Sequence, residues 1–129
     1  MTNDTKRTYS IYGLIDPRTN TVFYVGKALK TKTRLTQHKK NYRVSTPRAR
    51  YSIIGEILQL GLPLEMCIID TVTTDNPAIA FDVERCWILL YKAKGEAVAN
   101  KDMVYSRPEH INTEYETNRL AELKRATMD

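Results

Sequence analysis

A turn-forming pentapeptide, Asp-Pro-Arg-Thr-Asn at residues 16–20, separates two segments that favour extended structure. Residues 8–15 before it and residues 21–26 after it are rich in β-branched and aromatic side chains, which fit the surface of a pleated sheet. Proline and asparagine favour the backbone angles of a tight reversal. The sequence therefore predicts a β-hairpin that carries Tyr12 in its first strand and Tyr24 in its second.

The faces on which these two tyrosines lie can also be predicted, because side chains alternate between the two faces of a strand. Tyr12 is expected to share a face with Ser10 and Leu14, and Tyr24 to share a face with Val22. A phenol has a pKa near 10 and works as a base only beside positive charge. The sequence is therefore compatible with two roles for Tyr12 and Tyr24: packing in the hydrophobic core, or catalysis.

The rest of the chain predicts four helices and one further strand. Their bounds follow from apolar residues at helical or extended spacing and from glycine and proline at the boundaries. The helices are expected at residues 31–42, 48–60, 77–92 and 113–127, a loop at 44–49 and the third strand at 64–72. The predicted fold class is α/β in the broad sense, or α+β: a small central three-stranded antiparallel sheet flanked by helices.

Particular residues mark the helix boundaries. Thr31 or Thr33 is expected to cap the first helix, because threonine side chains accept hydrogen bonds from the first turn. Gly61 is expected to end the second helix, and the third is expected to start at Asp75-Asn76-Pro77.

Length and composition predict one globular domain with no membrane span. The chain has 129 residues, of which 42% are hydrophobic. No apolar run approaches the roughly 20 residues that cross a bilayer, and residues 1–7 lack the apolar region of a signal peptide. Cys67 and Cys86 lack the spacing of a zinc site and are expected to be buried free thiols. An intracellular, cytoplasmic location is expected.

Positive charge is concentrated in one stretch that contains no acidic residue. The members are Lys27, Lys30, Lys32, Arg34, Lys39, Lys40, Arg43, Arg48 and Arg50. These are 9 of the 20 basic residues, so the rest of the chain holds 11 basic and 15 acidic residues. Such segregation favours binding to a polyanion such as DNA, since each neutralised phosphate releases counterions. A solvated basic helix is the alternative.

Three more residues have side chains that suit phosphate chemistry. Arg34 and His38 lie one turn apart on one face of the first predicted helix, where a guanidinium can bind phosphate oxygens. Glu84 is the exceptional residue of an apolar helix, and a buried carboxylate is costly unless it is paired or holds a metal ion. A single carboxylate suits Mg²⁺, whereas a salt bridge to a lysine of the basic stretch is the structural alternative.

The order of these residues resembles the GIY-YIG nuclease family from about residue 8 to residue 102. The matching positions are Ser10-Ile11-Tyr12, Tyr24-Val25-Gly26, Arg34 with His38, Glu84 and Asn100. Serine replaces the first glycine of one motif and valine the isoleucine of the other. Both changes leave the tyrosines and Gly26 intact.

The resemblance implies a GIY-YIG-like nuclease domain at residues 1–104 and a C-terminal helical extension at 105–129. The extension would be part of the same domain or a contact for a partner. It also implies a DNA endonuclease, possible in a phage or mobile element, with Mg²⁺ or Mn²⁺ held by Glu84. No separate DNA-recognition domain is evident, so a homodimer or a partner protein is expected to supply target recognition.

The resemblance also implies roles for the site residues. Tyr12 would be the general base and Arg34 would stabilise charge on the phosphoryl group. Tyr24 and His38 would orient the phosphate or the water. Lys27 would neutralise a phosphate beside Gly26, whose missing side chain would admit it, and Asn100 would hold the site in shape. A non-catalytic nucleic-acid-binding or accessory protein with this fold is the alternative.

Overall fold

The computed structural model describes residues 5–42, 49–100 and 108–127 of the chain. Most of the predicted loop at 44–49, together with Arg43 and Arg48, lies outside these residues. The described elements are β1 (Arg7–Asp16), β2 (Thr21–Ala28), α1 (Thr31–Asn41), α2 (Ala49–Gln59), β3 (Glu65–Thr74), α3 (Pro77–Ala93), a single 3₁₀ turn (Pro108–His110) and α4 (Thr113–Ala126). Each predicted strand and helix is therefore present, with bounds shifted by a few residues.

The strands form one antiparallel sheet in the order β2-β1-β3, which confirms the predicted fold class. In the turn between β1 and β2, Asn20 has a φ of 57° and its amide donates to the Asp16 carbonyl at 2.7 Å. The Asp16 carboxylate accepts hydrogen bonds from the backbone and the guanidinium of Arg18. The turn residues thus close the predicted hairpin by side-chain as well as backbone bonds.

A β-bulge in β2 changes the predicted face of Tyr24. Leu14 pairs with Tyr24 and Ile15 pairs with Val22, so Phe23 has no partner in β1. The extra residue interrupts the alternation of the strand, as β-bulges do. Tyr24 therefore lies on the face of Leu14 and Tyr12, and the prediction that it shares a face with Val22 is wrong.

Two clusters of buried side chains lie on opposite sides of the sheet. One consists mainly of aliphatic residues from the strands, α3 and α4: Ile11, Val22, Val25, Val72, Ala80, Val83, Cys86, Ile88, Ala97 and Leu123. The other combines strand residues with α2: Tyr12, Leu14, Phe23, Tyr51, Ile54, Ile57, Leu64 and Ala99. Tyr12 and Tyr24 both belong to the second side, where α1 and α2 pack.

The helix boundaries confirm most of the predictions and correct one. Asn76 caps α3 by accepting the amide of Ala78 at 3.0 Å, and Gly61 has a φ of 75° just after α2. The predicted threonine cap of α1 is wrong. The capping position is Lys30, whose side chain makes no capping bond, because α1 begins at Thr31 and both threonines already lie in its first turn.

Helix α4 packs against α3 and the sheet through apolar and charged contacts. Leu123 is buried, and the Lys124 ammonium lies 2.7 Å from the Asp70 carboxylate of β3. Arg85 and Arg119 form ion pairs with Glu116 and Asp82 at 3.6 and 3.7 Å, which join α3 to α4. The C-terminal helix thus covers the aliphatic side of the sheet, away from Tyr12 and Tyr24.

Cys67 and Cys86 are free thiols, as predicted, although Cys67 is half-buried rather than buried. No helix in the described part of the chain is both long and apolar enough to span a membrane.

Candidate active site

Tyr12 lies at the centre of a hydrogen-bonded cluster between β1 and α1. Its side chain has no exposed surface. The Tyr12 hydroxyl is 2.8 Å from Nε2 of His38, and it accepts a hydrogen bond from Nε of Arg34 at 3.3 Å. The four-residue spacing of Arg34 and His38 places both side chains on the inner face of α1, as the sequence predicts.

His38 is 1% exposed, and its burial lowers the pKa of the imidazole to about 4, aided by the positive charges of Arg34 and Arg50. The ring is therefore neutral at pH 7 and has one nitrogen that accepts a hydrogen bond. The Tyr12 oxygen accepts from Arg34, and in its hydrogen bond with Nε2 of His38 the phenol is the donor in one imidazole tautomer and the acceptor in the other.

Tyr12 is a phenol that does not ionise readily. Burial, and next the neighbouring Tyr24, raise its pKa to about 12. The hydrogen bond and charge of Arg34 act in the opposite direction, whereas the carboxylate of Glu84 raises the pKa further. The electrostatic effect of Glu84 on Tyr12 indicates that α3 and β1 bring their functional side chains into one site.

Tyr24 completes an aromatic group around His38. Its ring centroid is 5.8 Å from that of His38 and 6.3 Å from that of Tyr12, and Tyr51 of α2 lies 6.4 Å from His38 on another side. Tyr24 is half-buried, in contrast to Tyr12. Burial raises the pKa of Tyr24, while the positive charge of Arg50 lowers it. The β-bulge makes this arrangement possible, since it turns Tyr24 to the side of Tyr12.

Gly26 pairs with Tyr12 across the sheet, and its missing side chain accommodates the Tyr12 ring. A Cβ atom at Gly26 would lie 2.5 Å from Cζ of Tyr12 and closer still to its hydroxyl. The space that was expected to admit a phosphate is therefore occupied by the phenol. Glycine is required at position 26 because a side chain there would overlap the Tyr12 ring, and not because a phosphate needs the space.

Asn100 binds the outer edge of β2. Its side chain accepts the Val25 amide and donates to the Val25 carbonyl, both at 2.8 Å, and it is 4% exposed. The amides of Ala97 and Ala99 donate to the carbonyls of Val22 and Phe23. This pairing continues the sheet beyond β2 and fixes the strand that carries Tyr24 and Gly26.

Glu84 extends from α3 as a half-buried carboxylate. Burial raises its pKa, and the charges of Lys27 and Arg34 partly offset that rise. Among the described residues, Glu84 has neither a hydrogen bond nor an ion pair within 4 Å, so the predicted salt bridge to a lysine is absent there. The Lys27 ammonium instead lies 5.5 Å from the ring centroid of Tyr9 and 6.0 Å from that of Phe81.

The oxygen of Glu84 suits a hard divalent cation. No group of three or more candidate ligands (His, Cys, Asp or Glu) occurs within residues 5–42, 49–100 and 108–127. A single carboxylate is nevertheless the donor set with which Mg²⁺ is often bound, because this ion retains most of its waters. Of the described residues in the basic stretch, Lys30, Lys32, Lys39 and Lys40 are exposed and Arg50 is half-buried.

Sequence reasoning missed Tyr51 and did not separate Arg50 from the other basic residues. The Arg50 guanidinium carbon is 4.9 Å from the ring centroids of both Tyr24 and Tyr51, inside the cluster. Neither residue belongs to a recognisable motif. The one signal in the sequence is that Arg50 and Tyr51 are adjacent at the start of a predicted helix.

A three-stranded α+β domain with this constellation of tyrosines, arginine, histidine and glutamate defines a class of nuclease. A family model described as the GIY-YIG catalytic domain matches residues 8–97. The chain therefore belongs to the GIY-YIG nuclease family. No curated protein and no solved structure matches the chain.

Proposed function

We propose that this protein is a metal-dependent DNA endonuclease that hydrolyses phosphodiester bonds with Mg²⁺ or Mn²⁺. The observation that carries the proposal is the Tyr12 hydroxyl, which forms hydrogen bonds with Arg34 and His38. The carboxylate of Glu84, which has no ion pair with a described residue, acts on the same hydroxyl by raising its pKa. Family membership supports nuclease activity. The proposal that the substrate is DNA and that the reaction needs a metal ion rests in addition on the residues of the site.

Glu84 is the proposed ligand of the metal ion, with water molecules completing the coordination. Once bound, the ion would supply positive charge that stabilises the phosphoryl group and offsets the effect of Glu84 on the pKa of Tyr12. Within residues 5–42, 49–100 and 108–127, no ion pair at Glu84 competes with a metal ion, which supports this assignment.

Tyr12 is the proposed general base for the attacking water. With a pKa of about 12, only about one phenol in 10⁵ is ionised at pH 7, so neighbouring positive charge is essential for this role. Arg34 supplies part of that charge through its hydrogen bond to the phenol oxygen. In the proposed tautomer of His38, Nε2 accepts the phenol hydrogen and so directs it away from the lone pair that faces Arg34.

Arg34 is also the proposed phosphate ligand. Its Nε donates to Tyr12 and its Nη1 donates to Gln37 at 3.1 Å, which leaves N–H groups for a phosphate oxygen. Tyr24 and His38 would orient the phosphate or the water, and Lys27 would neutralise a neighbouring phosphate. The DNA backbone would lie along the exposed lysines of the basic stretch, with Asn100 supporting β2 beneath the site.

Further parts of the proposal rest on the sequence. The division into residues 1–104 and 105–129, a second copy or partner that supplies target recognition, a phage or mobile-element role and a cytoplasmic location stay predictions.

A non-catalytic DNA-binding protein is the second candidate, and one observation favours it. Tyr12 has no exposed surface, so a water molecule reaches its hydroxyl only if neighbouring side chains move. Binding of DNA without cleavage in any divalent metal would support this candidate.

Nicking of supercoiled plasmid tests the proposal. We expect cleavage with Mg²⁺ or Mn²⁺ that a chelator abolishes, and a loss on the order of 10³-fold in Glu84→Gln with unchanged DNA affinity. Asp82→Asn is the matched control, since Asp82 lies on the same helix but pairs with Arg119 of α4. Equal nicking by wild type and Glu84→Gln, or cleavage that survives the chelator, would contradict the proposal.

A further inference from the structure

Arg50 differs from the exposed lysines of the basic stretch, Lys30, Lys32, Lys39 and Lys40, because its planar guanidinium is clamped between two aromatic rings. Its guanidinium carbon lies 4.9 Å from the ring centroid of Tyr24 and 4.9 Å from that of Tyr51. Its Nη1 donates a hydrogen bond to the Tyr24 hydroxyl at 3.4 Å. Planar guanidinium groups stack on aromatic faces in this way, whereas the compact ammonium of lysine does not.

The contacts of Arg50 distinguish it from the cations that lie open to the DNA backbone. Lys39 and Lys40 are exposed, whereas Arg50 is half-buried and directs Nη1 at the Tyr24 hydroxyl. The Nε atom of Arg50 is buried and has no hydrogen-bond partner among the described residues. A buried donor without an acceptor is unfavourable, so the surroundings of Arg50 must hold it there for another reason.

That reason is the orientation of Tyr24. Because an arginine only donates, the Tyr24 oxygen accepts from Arg50 and keeps its own hydrogen available for another acceptor. The half-buried position of Tyr24 allows that hydrogen to reach a substrate oxygen. The charge of Arg50 also lowers the pKa of both Tyr24 and His38, which agrees with its location inside the cluster.

We propose that Arg50 is a positioning residue of the nuclease site, which fixes the Tyr24 hydroxyl as a hydrogen-bond donor to the substrate and does not itself bind a DNA phosphate. This inference rests on the proposed endonuclease function. It replaces the sequence-based expectation that Arg50 belongs to the DNA-binding surface.

The test separates the rate of cleavage from the affinity for DNA. Arg50→Met and Arg50→Lys are compared with Lys39→Met, which removes an exposed cation of α1. Affinity for a fluorescent duplex is measured without Mg²⁺ at several salt concentrations, and single-turnover cleavage is measured with Mg²⁺ at saturating protein.

For both Arg50 variants we expect cleavage to slow by about 10- to 100-fold, with unchanged dissociation constant and salt dependence. Lys39→Met should weaken binding and lower the salt slope by about 1.

The opposite pattern would overturn the inference. If Arg50→Met lowers the salt slope as Lys39→Met does, Arg50 binds a phosphate. If Arg50→Lys cleaves at the wild-type rate, the stacking of the guanidinium between Tyr24 and Tyr51 is not needed for cleavage. NMR titration of the His38 imidazole provides a readout that needs no cleavage, because removal of Arg50 should raise the His38 pKa. A wild-type protein that binds but never cleaves would refute the proposed function, while the salt slope and the His38 titration still decide the position of Arg50.

Discussion

Ile11 and Tyr12 are neighbours in β1 and neither has any exposed surface, yet they face two different interiors. Ile11 packs among aliphatic side chains between the sheet and α3. Tyr12 forms hydrogen bonds with the imidazole of His38 and the guanidinium of Arg34. One strand thus separates an apolar core from a polar one.

Burial has different effects on the stability of the fold on the two sides of the sheet. On the aliphatic side, removal of side chains from water stabilises the fold. On the side of Tyr12, burial keeps His38 neutral and the phenol protonated, and the buried Arg50 Nε has no partner in the described part of the chain. Polar groups held in this way reduce stability and are typical of functional sites. We therefore expect substitutions on the two sides to affect different properties.

The largest expected contrast is between Tyr12→Phe and Ile11→Ala. Loss of the Tyr12 hydroxyl should lower the cleavage rate by about 10²- to 10⁴-fold, as expected for a general base. Ile11→Ala should lower the free energy of unfolding by about 2–5 kcal/mol and leave the cleavage rate per folded molecule unchanged. Urea unfolding and single-turnover cleavage, both measured on each variant, give the comparison. A cleavage rate that falls equally in both variants would show that the two sides are not separable.

The second expected difference is in the pH dependence of stability. The His38 pKa of about 4 in the folded protein lies below the unfolded value of about 6.5, so the unfolded state binds the proton more tightly. Stability should therefore fall as the pH falls from about 6.5 to about 4, by roughly 2–4 kcal/mol at the lower end.

The matched variant for this effect is His38→Gln, which retains a polar group but does not titrate in this range. Urea midpoints between pH 7 and pH 4.5 should decline more steeply for wild type than for His38→Gln. The carboxylates on the rest of the protein titrate in both proteins and cancel in the difference. Parallel declines would mean that His38 is not a buried, neutral imidazole.

Local spacing was sufficient to predict much of the fold and the site. The hairpin follows from the turn at residues 16–20, and the shared face of Arg34 and His38 follows from helical periodicity. Glu84 was recognisable because a carboxylate is exceptional in an apolar helix. These features depend on residues that are close together in sequence. The periodicity of a single helix or strand then determines which side chains share a face.

Other features depend on tertiary contacts and escaped prediction. The bulge at Phe23 places Tyr24 on the side of Tyr12, and a period-two pattern gives no indication of it. The sequence does not separate Arg50 from the exposed cations, because its contact with Tyr24 joins α2 to β2. That Glu84 forms no ion pair with any described residue likewise depends on where Lys27 lies in the folded chain.

The smallest expected contrast uses two glycines of the hairpin, Gly26 on the side of Tyr12 and Gly13 on the aliphatic side. A Cβ at Gly26 would overlap the Tyr12 ring, whereas one at Gly13 would lie 3.0 Å from Val22 Cγ1 and 3.2 Å from Cys67 Sγ. Because Gly13 meets only the ends of side chains, Gly13→Ala should lower stability by about 1 kcal/mol and leave cleavage unchanged.

Gly26→Ala should instead displace the phenol, with a loss of stability of about 1–3 kcal/mol and a reduction of cleavage of up to about 10²-fold. Thermal unfolding and single-turnover cleavage measure the two effects on both variants. Neither glycine has a positive φ, so backbone strain does not confuse the comparison. If Gly26→Ala cleaves at the wild-type rate, the position of the Tyr12 hydroxyl is not critical and the assignment of Tyr12 as general base is wrong.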